Sequence, residues 1–437
     1  MTDKRGTGTF ITDTTELTTG NLDLFTAPVI ENVLEYGKTI ELHPVNALTD
    51  TGPIEFQVPS DSTHFLYLPL TRLNGTVRVV KSSDGTDFAD TDNISVCNLF
   101  PQSLFKQIEV EINGKNVSDV STSTYPIKAF IETVLTYGAE AKKTHLKLAG
   151  WEEDEVGKED KYATNSGFVN RKKRIIAKNY HFSMIIHADF LQMERFLLPD
   201  TNLTIKLIRN SDNYSLISET AIGKINFKSL KLSVRKIKIN NDFHHAILSN
   251  LVKEPALYPL TQSKIKTFLI QSGTTTTTIQ NVLNGNLPQS LIIGFLHSKS
   301  FNGEVTHNPF HFQHFGLNLL NLKVNGIPFH PRPLQPNYND GDFKREYRML
   351  MDNTGIHHGN NTIDITEEQF VSSTNLYPFD FSSDLCNSAH HHGNKTGYLD
   401  LEVGFGTPLA HPLYAIVYGA FTSSLVIDNS RTATIIE

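Results

Sequence analysis

With 437 residues, 39% of them hydrophobic and 19% charged, and with 27 Phe and 14 Tyr but one Trp, the chain is neither disordered nor a coiled coil and can bury more than one core. A formal net charge of −7 argues against a surface built to hold a polyanion, which needs clustered Lys and Arg to displace counterions. The two cysteines, Cys97 and Cys386, lie far apart and read as buried thiols in a reducing compartment rather than as a disulfide framework.

In chain order, residues 1–45 read as an N-terminal arm. Its first ten residues are polar and Gly/Thr-rich, so no secretory signal is expected, and no run in the chain approaches the ~18 apolar residues that span a bilayer. Short β-branched and aromatic runs then recur: 54–58, 76–80, 108–112, 203–208, 227–239, 291–296, 398–403 and 413–418. Gly, Asn, Asp and Pro punctuate them, so an all-β class is predicted. The Asp/Gly/Ser/Thr-rich stretch 82–93 reads as an inserted loop. The sequons at Asn74, Asn116, Asn202 and Asn394 read as polar turns.

The chain also repeats itself. Leu104-Phe-Lys-Gln-Ile-Glu-Val-Glu-Ile-Asn-Gly114 resembles Leu317-Asn-Leu-Leu-Asn-Leu-Lys-Val-Asn-Gly326, with the Asn-Gly pairs 212 positions apart (325 − 113). The alternation is in phase: Ile108, Val110 and Ile112 fall on Leu320, Leu322 and Val324. Asn-Gly tolerates positive φ at both central turn positions, so each copy should end in a tight hairpin. An amphipathic helix should follow each hairpin, one presenting Ile127, Phe130, Ile131, Val134 and Leu135, the other Phe343, Tyr347, Leu350 and Met351, with Gly355 beyond it. Weaker matches pair residues 197–208 with 410–418, and Asn74-Gly75 with Asn302-Gly303. After each helix comes a large block, charged at 142–178 and Gly/His/Asn-rich at 352–395, read as paired loops and candidate outward towers. The linker falls around residues 240–263, giving a first unit over 46–245 and a second over 246–437.

Several motifs together resemble the major capsid proteins of Polintons (Mavericks) and adintoviruses. They are Leu22-Asp-Leu-Phe-Thr-Ala-Pro28, Gly52-Pro-Ile-Glu-Phe56, Asn98-Leu-Phe-Pro-Gln-Ser-Leu-Phe105, Tyr125-Pro-Ile-Lys-Ala-Phe-Ile-Glu132, Asn308-Pro-Phe-His-Phe312 and Leu334-Gln-Pro336. The resemblance covers nearly the whole chain. It implies two tandem jelly-roll β-sandwiches, a double jelly roll, in a homotrimer that forms a pseudo-hexagonal capsomer of an icosahedral shell. It also implies neighbouring capsomers and a single jelly-roll penton protein as partners, no sequence-specific nucleic acid, and a place in the virion. Duplication supplies a reason, since three chains of two units place six wedges around an axis.

No catalytic, cofactor-binding or metal-ligating residue is assigned. His357, His358 and His390-His-His392, with Asp364 or Asp384, lack a recognised ligand spacing; a loop that charges on acidification is the preferred alternative to a metal site. His307, His311, His314 and His330, among Phe310, Phe312, Phe315 and Phe329, read as satisfied histidines in a strand-turn region. Arg171-Lys-Lys-Arg174 reads as a solvated loop base or, less favoured, a nuclear-import cluster. Glu152, Glu153, Asp154 and Glu155 read as a hydrated run, and the basic strand 228–238 as a solvent or interface face. Gly-x-Ser-x-Gly, Walker and dinucleotide signatures are absent from the sequence. A carbohydrate-binding sandwich and a domesticated capsid-derived protein are the competing readings, because one fold hosts many functions.

Overall fold

The computed structural model describes residues 31–49, 52–118, 123–220, 222–354, 363–382, 393 and 395–436. The first half contributes β1 (Leu34–Leu42), β2 (Ile54–Val58), β3 (His64–Lys81), β4 (Ile94–Val96), β5 (Phe105–Ile112), β6 (Lys115–Asn116), β7 (Asn179–Ile185), β8 (Leu203–Arg209), β9 (Leu216–Ser218) and β10 (Gly223–Ile239). The second contributes β11 (Ala256–Ile270), β12 (Thr276–Asn286), β13 (Ser290–His297), β14 (Leu317–Val324), β15 (Ile327–Pro328), β16 (Leu376–Asp380), β17 (Thr396–Phe405), β18 (Leu413–Ile427) and β19 (Ala433–Ile436).

The strand order repeats. The first half builds sheets β1-β10-β3-β7 and β2-β8-β5-β6; the second builds β11-β18-β13-β16, with β19 beside β18, and β12-β17-β14-β15. Each half is an antiparallel jelly-roll sandwich, and its inner positions alternate apolar with polar as a half-buried strand requires. Both predicted hairpins are present. Asn113 and Gly114 have φ of 47° and 80°, Asn325 and Gly326 have 52° and 79°, and the flanking residues pair directly as Ile112 with Lys115 and Val324 with Ile327. A helix follows each, at Tyr125–Thr136 and at Lys344–Asp352.

Two of the weaker sequence matches are corrected. Ile112 pairs with Leu203 and Val324 with Leu399, so β8 corresponds to β17 at an offset of 196 (399 − 203), not to β18 at 212. Hydrophobic alternation is shared by every half-buried strand, so a chance in-phase match aligned the wrong pair. Likewise Asn74-Gly75 is no turn: Gly75 lies inside β3 opposite Phe182 and Leu230, whereas Gly303 closes a short helix with φ of 74°. A Cβ at Gly75 would come within 2.4 Å of the Phe182 ring, so packing rather than turn geometry explains that glycine.

The segment 1–45 contributes β1, paired along its length with β10, while residues 1–30 lie outside the described ones. The stretch 240–263 is the Asn241–Lys253 helix followed by the first part of β11. The basic residues of β10 meet acids at close range: Lys231 and Glu41 at 3.0 Å, Lys236 and Asp61 at 3.4 Å, Lys238 and Glu35 at 2.7 Å.

Among the described residues the hydrophobic interior falls into two clusters that interlock. One gathers Phe56, Leu73, Val110, Ile205 and Leu232 and takes Tyr258, Leu425 and Ile427 from the second half. The other gathers Phe295, Phe312, Leu320, Leu401 and Val417 and takes Ile127, Phe130, Ile131 and Val134 from the first. The Tyr125–Thr136 helix is therefore buried on both sides, with Pro126 in its first turn where no backbone donor is lost.

Candidate functional site

The most built polar region of the molecule is the junction between the halves. The 142–178 block is not a free charged loop. It folds as short helices, including Ser166–Ile175, around Trp151 and Phe168, which are 5% and 1% exposed. Arg171, 2% exposed, donates to Val96 O (2.7 Å), Glu152 O (2.5 Å) and Asp154 Oδ1 (2.6 Å). Asn165 caps the helix, accepting from Gly167 and Phe168 N–H, while its Nδ2 also donates to Asp154 (2.8 Å). Arg174 pairs with Glu152 at 2.7 Å. The Arg171–Arg174 cluster thus lies on a helix rather than in a loop, with Arg171 buried, Arg174 half-buried on Glu152 and Lys173 exposed. Glu152 and Asp154 are committed as partners of the two arginines rather than hydrated.

From this block the contacts cross to the second half. Asn308 Nδ2 donates to Asp154 Oδ2 (3.1 Å) and Asn308 N–H to Asp160 (2.8 Å). His311 places Nδ1 2.6 Å from Asp160 and Nε2 2.9 Å from Ser372 O, so both ring nitrogens face oxygen acceptors. Burial alone would lower its pKa, but the hydrogen bond and charge of Asp160 outweigh it and raise it. Asp160 is reciprocally lowered, against a burial effect of opposite sign. Lys142, 4% exposed, donates to Ile363 O (2.9 Å) and Asp364 O (3.0 Å), and lies over the Trp151 ring at 5.3 Å. Nearer the sheets, Ser263 donates from N and Oγ to Asp189, both at 2.8 Å, and Tyr418 OH donates to Glu132 at 3.1 Å.

The aromatic histidine region divides. His311 is satisfied as the sequence suggested, and His314 stacks on Tyr338 at 4.0 Å, but the buried Nε2 of His330 has no hydrogen-bond partner. His297 and His307 stack at 5.0 Å, and His297 lies 5.1 Å from His411, a cluster the sequence analysis did not join. Burial first, then the neighbouring imidazoles and Lys299, depress the His297 pKa to about 4. A base so depressed stabilises the fold above its unfolded value of 6.5, and that contribution is lost as pH falls towards 4. His311 has the opposite sign, its contribution being complete below 6.5 and lost as pH rises through its raised value. His297→Asn keeps an acceptor for Lys299 N–H but cannot titrate. Its melting temperature relative to wild type should therefore rise as pH drops from about 7 to about 4.5. Parallel wild-type and variant curves would show that the cluster does not titrate in this window.

His357, His358, Asp384, Cys386 and His390 to His392 lie outside the described residues. Among the described residues no group of three or more His, Cys, Asp or Glu is placed to hold a metal ion, and no helix is long and apolar enough to cross a membrane. Cys97 is buried, and desolvation pushes its thiol up to about 12, far from nucleophilic use.

Comparison with solved structures decides the architecture. The capsid protein in the PBCV-1 capsid superposes with a TM-score of 0.63 at 11% identity, over 94% of this chain and 99% of that one. The fold is the double jelly roll of viral major capsid proteins. The Sputnik virophage structure matches with a TM-score of 0.60 at 12% identity over 97% and 93% of the two chains. The mavirus major capsid protein matches at 0.55 and 12% identity over 97% and 95%. Among curated proteins, an uncharacterized protein of Caenorhabditis elegans is 25% identical over 347 residues, 73% of this chain and 78% of the relative. No family model matches the chain.

Proposed function

We propose that this chain is the major structural subunit of a viral or virus-derived icosahedral shell, assembling as a homotrimer whose six sandwiches make a pseudo-hexagonal capsomer. The observation that carries the reading is the repeat of one strand order within a single chain whose two cores interlock, so that the pair acts as one rigid building block. The likeness to the PBCV-1, Sputnik and mavirus proteins over most of their lengths supports it. On this reading the units divide within the Asn241–Lys253 helix, at 46–245 and 246–437. The partners are neighbouring capsomers and a penton protein, the place is the virion, and the work is mechanical rather than catalytic. The Polinton and adintovirus resemblance of the sequence motifs supports a lineage of that type. The nematode relative favours a second reading, in which such a subunit is encoded within an animal genome.

Electron microscopy and sedimentation of the purified protein test the proposal. Trimeric hexagonal particles or closed shells are expected. A persistent monomer that binds glycans would replace it with the carbohydrate-binding reading.

A further inference from the structure

Lys128, on the Tyr125–Thr136 helix, holds its ammonium 2.5 Å from Asp189 Oδ1 and 3.7 Å from Glu132 Oε1. The Lys128 and Asp189 side chains are 14% and 17% exposed, so the pair has lost most of its water. A surface pair such as Lys238 with Glu35, 2.7 Å apart but 29% and 37% exposed, keeps its charges hydrated. Ile108, Val110, Phe190 and Leu260 line the same small cavity as Lys128 and Asp189. Glu132 stands one turn along the helix from Lys128. Tyr418 OH donates to its Oε1 at 3.1 Å and His187 Nδ1 lies 2.7 Å from its Oε2, which fixes the carboxylate beside the amine. Burial alone would raise the Glu132 pKa, but the charge of Lys128 and the His187 hydrogen bond outweigh it and lower it, so Glu132 stays ionised. Asp189 opens the short Asp189–Gln192 turn, and Ser263 of β11 donates to both its oxygens, from N–H to Oδ2 and from Oγ to Oδ1, each at 2.8 Å. An amine, a carboxyl group, a second carboxylate and two donors thus meet in one water-poor place.

We propose that Lys128 and Asp189 condense to an intramolecular isopeptide bond, with Glu132 carrying the proton. Condensation requires the amine and the carboxyl group to meet as neutral groups. Out of water an ion pair loses much of its advantage over the neutral pair, and one proton crossing from Nζ to Oδ1 leaves a free amine beside a carboxylic acid. The amine attacks Asp189 Cγ, and negative charge develops on Oδ2, where the Ser263 N–H already donates. The Nζ–Cγ bond forms and the Cγ–Oδ1 bond breaks. Of the three ammonium protons one stays on the amide nitrogen and two leave on Oδ1 as water, the first passed directly and the second through Glu132. Neither an oxidant nor a second substrate is needed. Holding the groups in contact supplies the rate, since well-oriented intramolecular pairs reach effective concentrations of about 10⁵–10⁸ M. The bond fastens the helix shared by both cores to the Asp189–Gln192 turn, and it survives denaturation. The step needs no partner chain, so its test stands apart from the assembly reading.

Intact-mass spectrometry of the denatured full chain, followed by peptide mapping, tests the proposal. Wild type should be lighter than its sequence by one water, and a digest should yield a branched peptide joining positions 128 and 189. Lys128→Arg keeps the positive charge but should restore the full mass, because a guanidinium that stays protonated is no nucleophile. Glu132→Gln keeps the shape and should slow the appearance of the branched peptide about a hundredfold or more, the usual contribution of a positioned proton carrier. Circular dichroism melts check that both variants fold, and the wild-type mass decides even where a variant does not. A folded wild type that keeps its full mass after days at neutral pH overturns the proposal. So does a missing water that maps elsewhere, such as to a succinimide at Asp84-Gly85 or Asp340-Gly341. A Glu132→Gln chain that crosslinks as fast as wild type overturns the role given to Glu132.

Discussion

Replacing Phe130 by alanine is expected to cost about 3–5 kcal/mol, the range for truncating a large buried aromatic. The ring is 6% exposed, lies parallel to Phe310 at 4.8 Å, and has Phe312 at 5.9 Å and Trp151 at 6.4 Å. Such stacked contacts add about 0.5–1.5 kcal/mol each beyond the area they bury. Phe310 and Phe312 belong to the second half and Phe130 to the first, so the loss falls on the junction rather than on either sandwich. The chain holds a single tryptophan, Trp151, and it stands at that junction. In guanidinium the fluorescence transition of the variant should precede its far-ultraviolet dichroism transition, while the two coincide in wild type. Coincident transitions in the variant with a loss under ~1 kcal/mol would mean that the halves are not coupled through this helix.

Arg171→Ala should be of similar size, about 3–5 kcal/mol, for an electrostatic reason. The guanidinium serves the Val96 and Glu152 carbonyls and the Asp154 carboxylate; its removal takes a donor from each carbonyl and leaves Asp154, to which Asn165 and Asn308 still donate, without its counter-charge. Lysine should not rescue it, because one ammonium cannot reproduce three donors held in a planar fork. Arg171→Met combined with Asp154→Asn should cost less than Arg171→Ala alone, since the uncompensated charge goes with its partner. Lys173→Ala in the same basic run is the control: the side chain is exposed and the change should stay within ~0.5 kcal/mol. Equal effects at positions 171 and 173 in chemical denaturation would refute the structural role given to Arg171.

The local features were legible in the residues. Alternation at Ile108, Val110 and Ile112 and at their counterparts placed two strands, the Asn-Gly pairs placed the hairpins, and the spacing from Ile127 to Val134 placed the helix. Each of these follows from interactions within a few positions of the chain, where side-chain period and turn stereochemistry act directly. The misalignment of β8 with β18 marks the limit, because periodicity says that a strand has a buried face but not which sheet it joins.

The junction was not legible. Asp154 with Asn308 and Asp160 with His311 join residues about 150 positions apart, and no local pattern distinguishes an aspartate bound for such a contact from one in a hydrated loop. Read singly, Arg171 was one of four consecutive basic residues; folded, a helix turned it inward and left Lys173 in solvent. Sequence alone therefore determined the all-β class, the duplicated strand-hairpin-helix unit and the absence of recognisable catalytic signatures, because these reside in composition and short-range period. Tertiary structure decided which strands correspond and which charges are buried. Those outcomes depend on long-range burial, where desolvation makes a paired charge and an exposed one physically different groups.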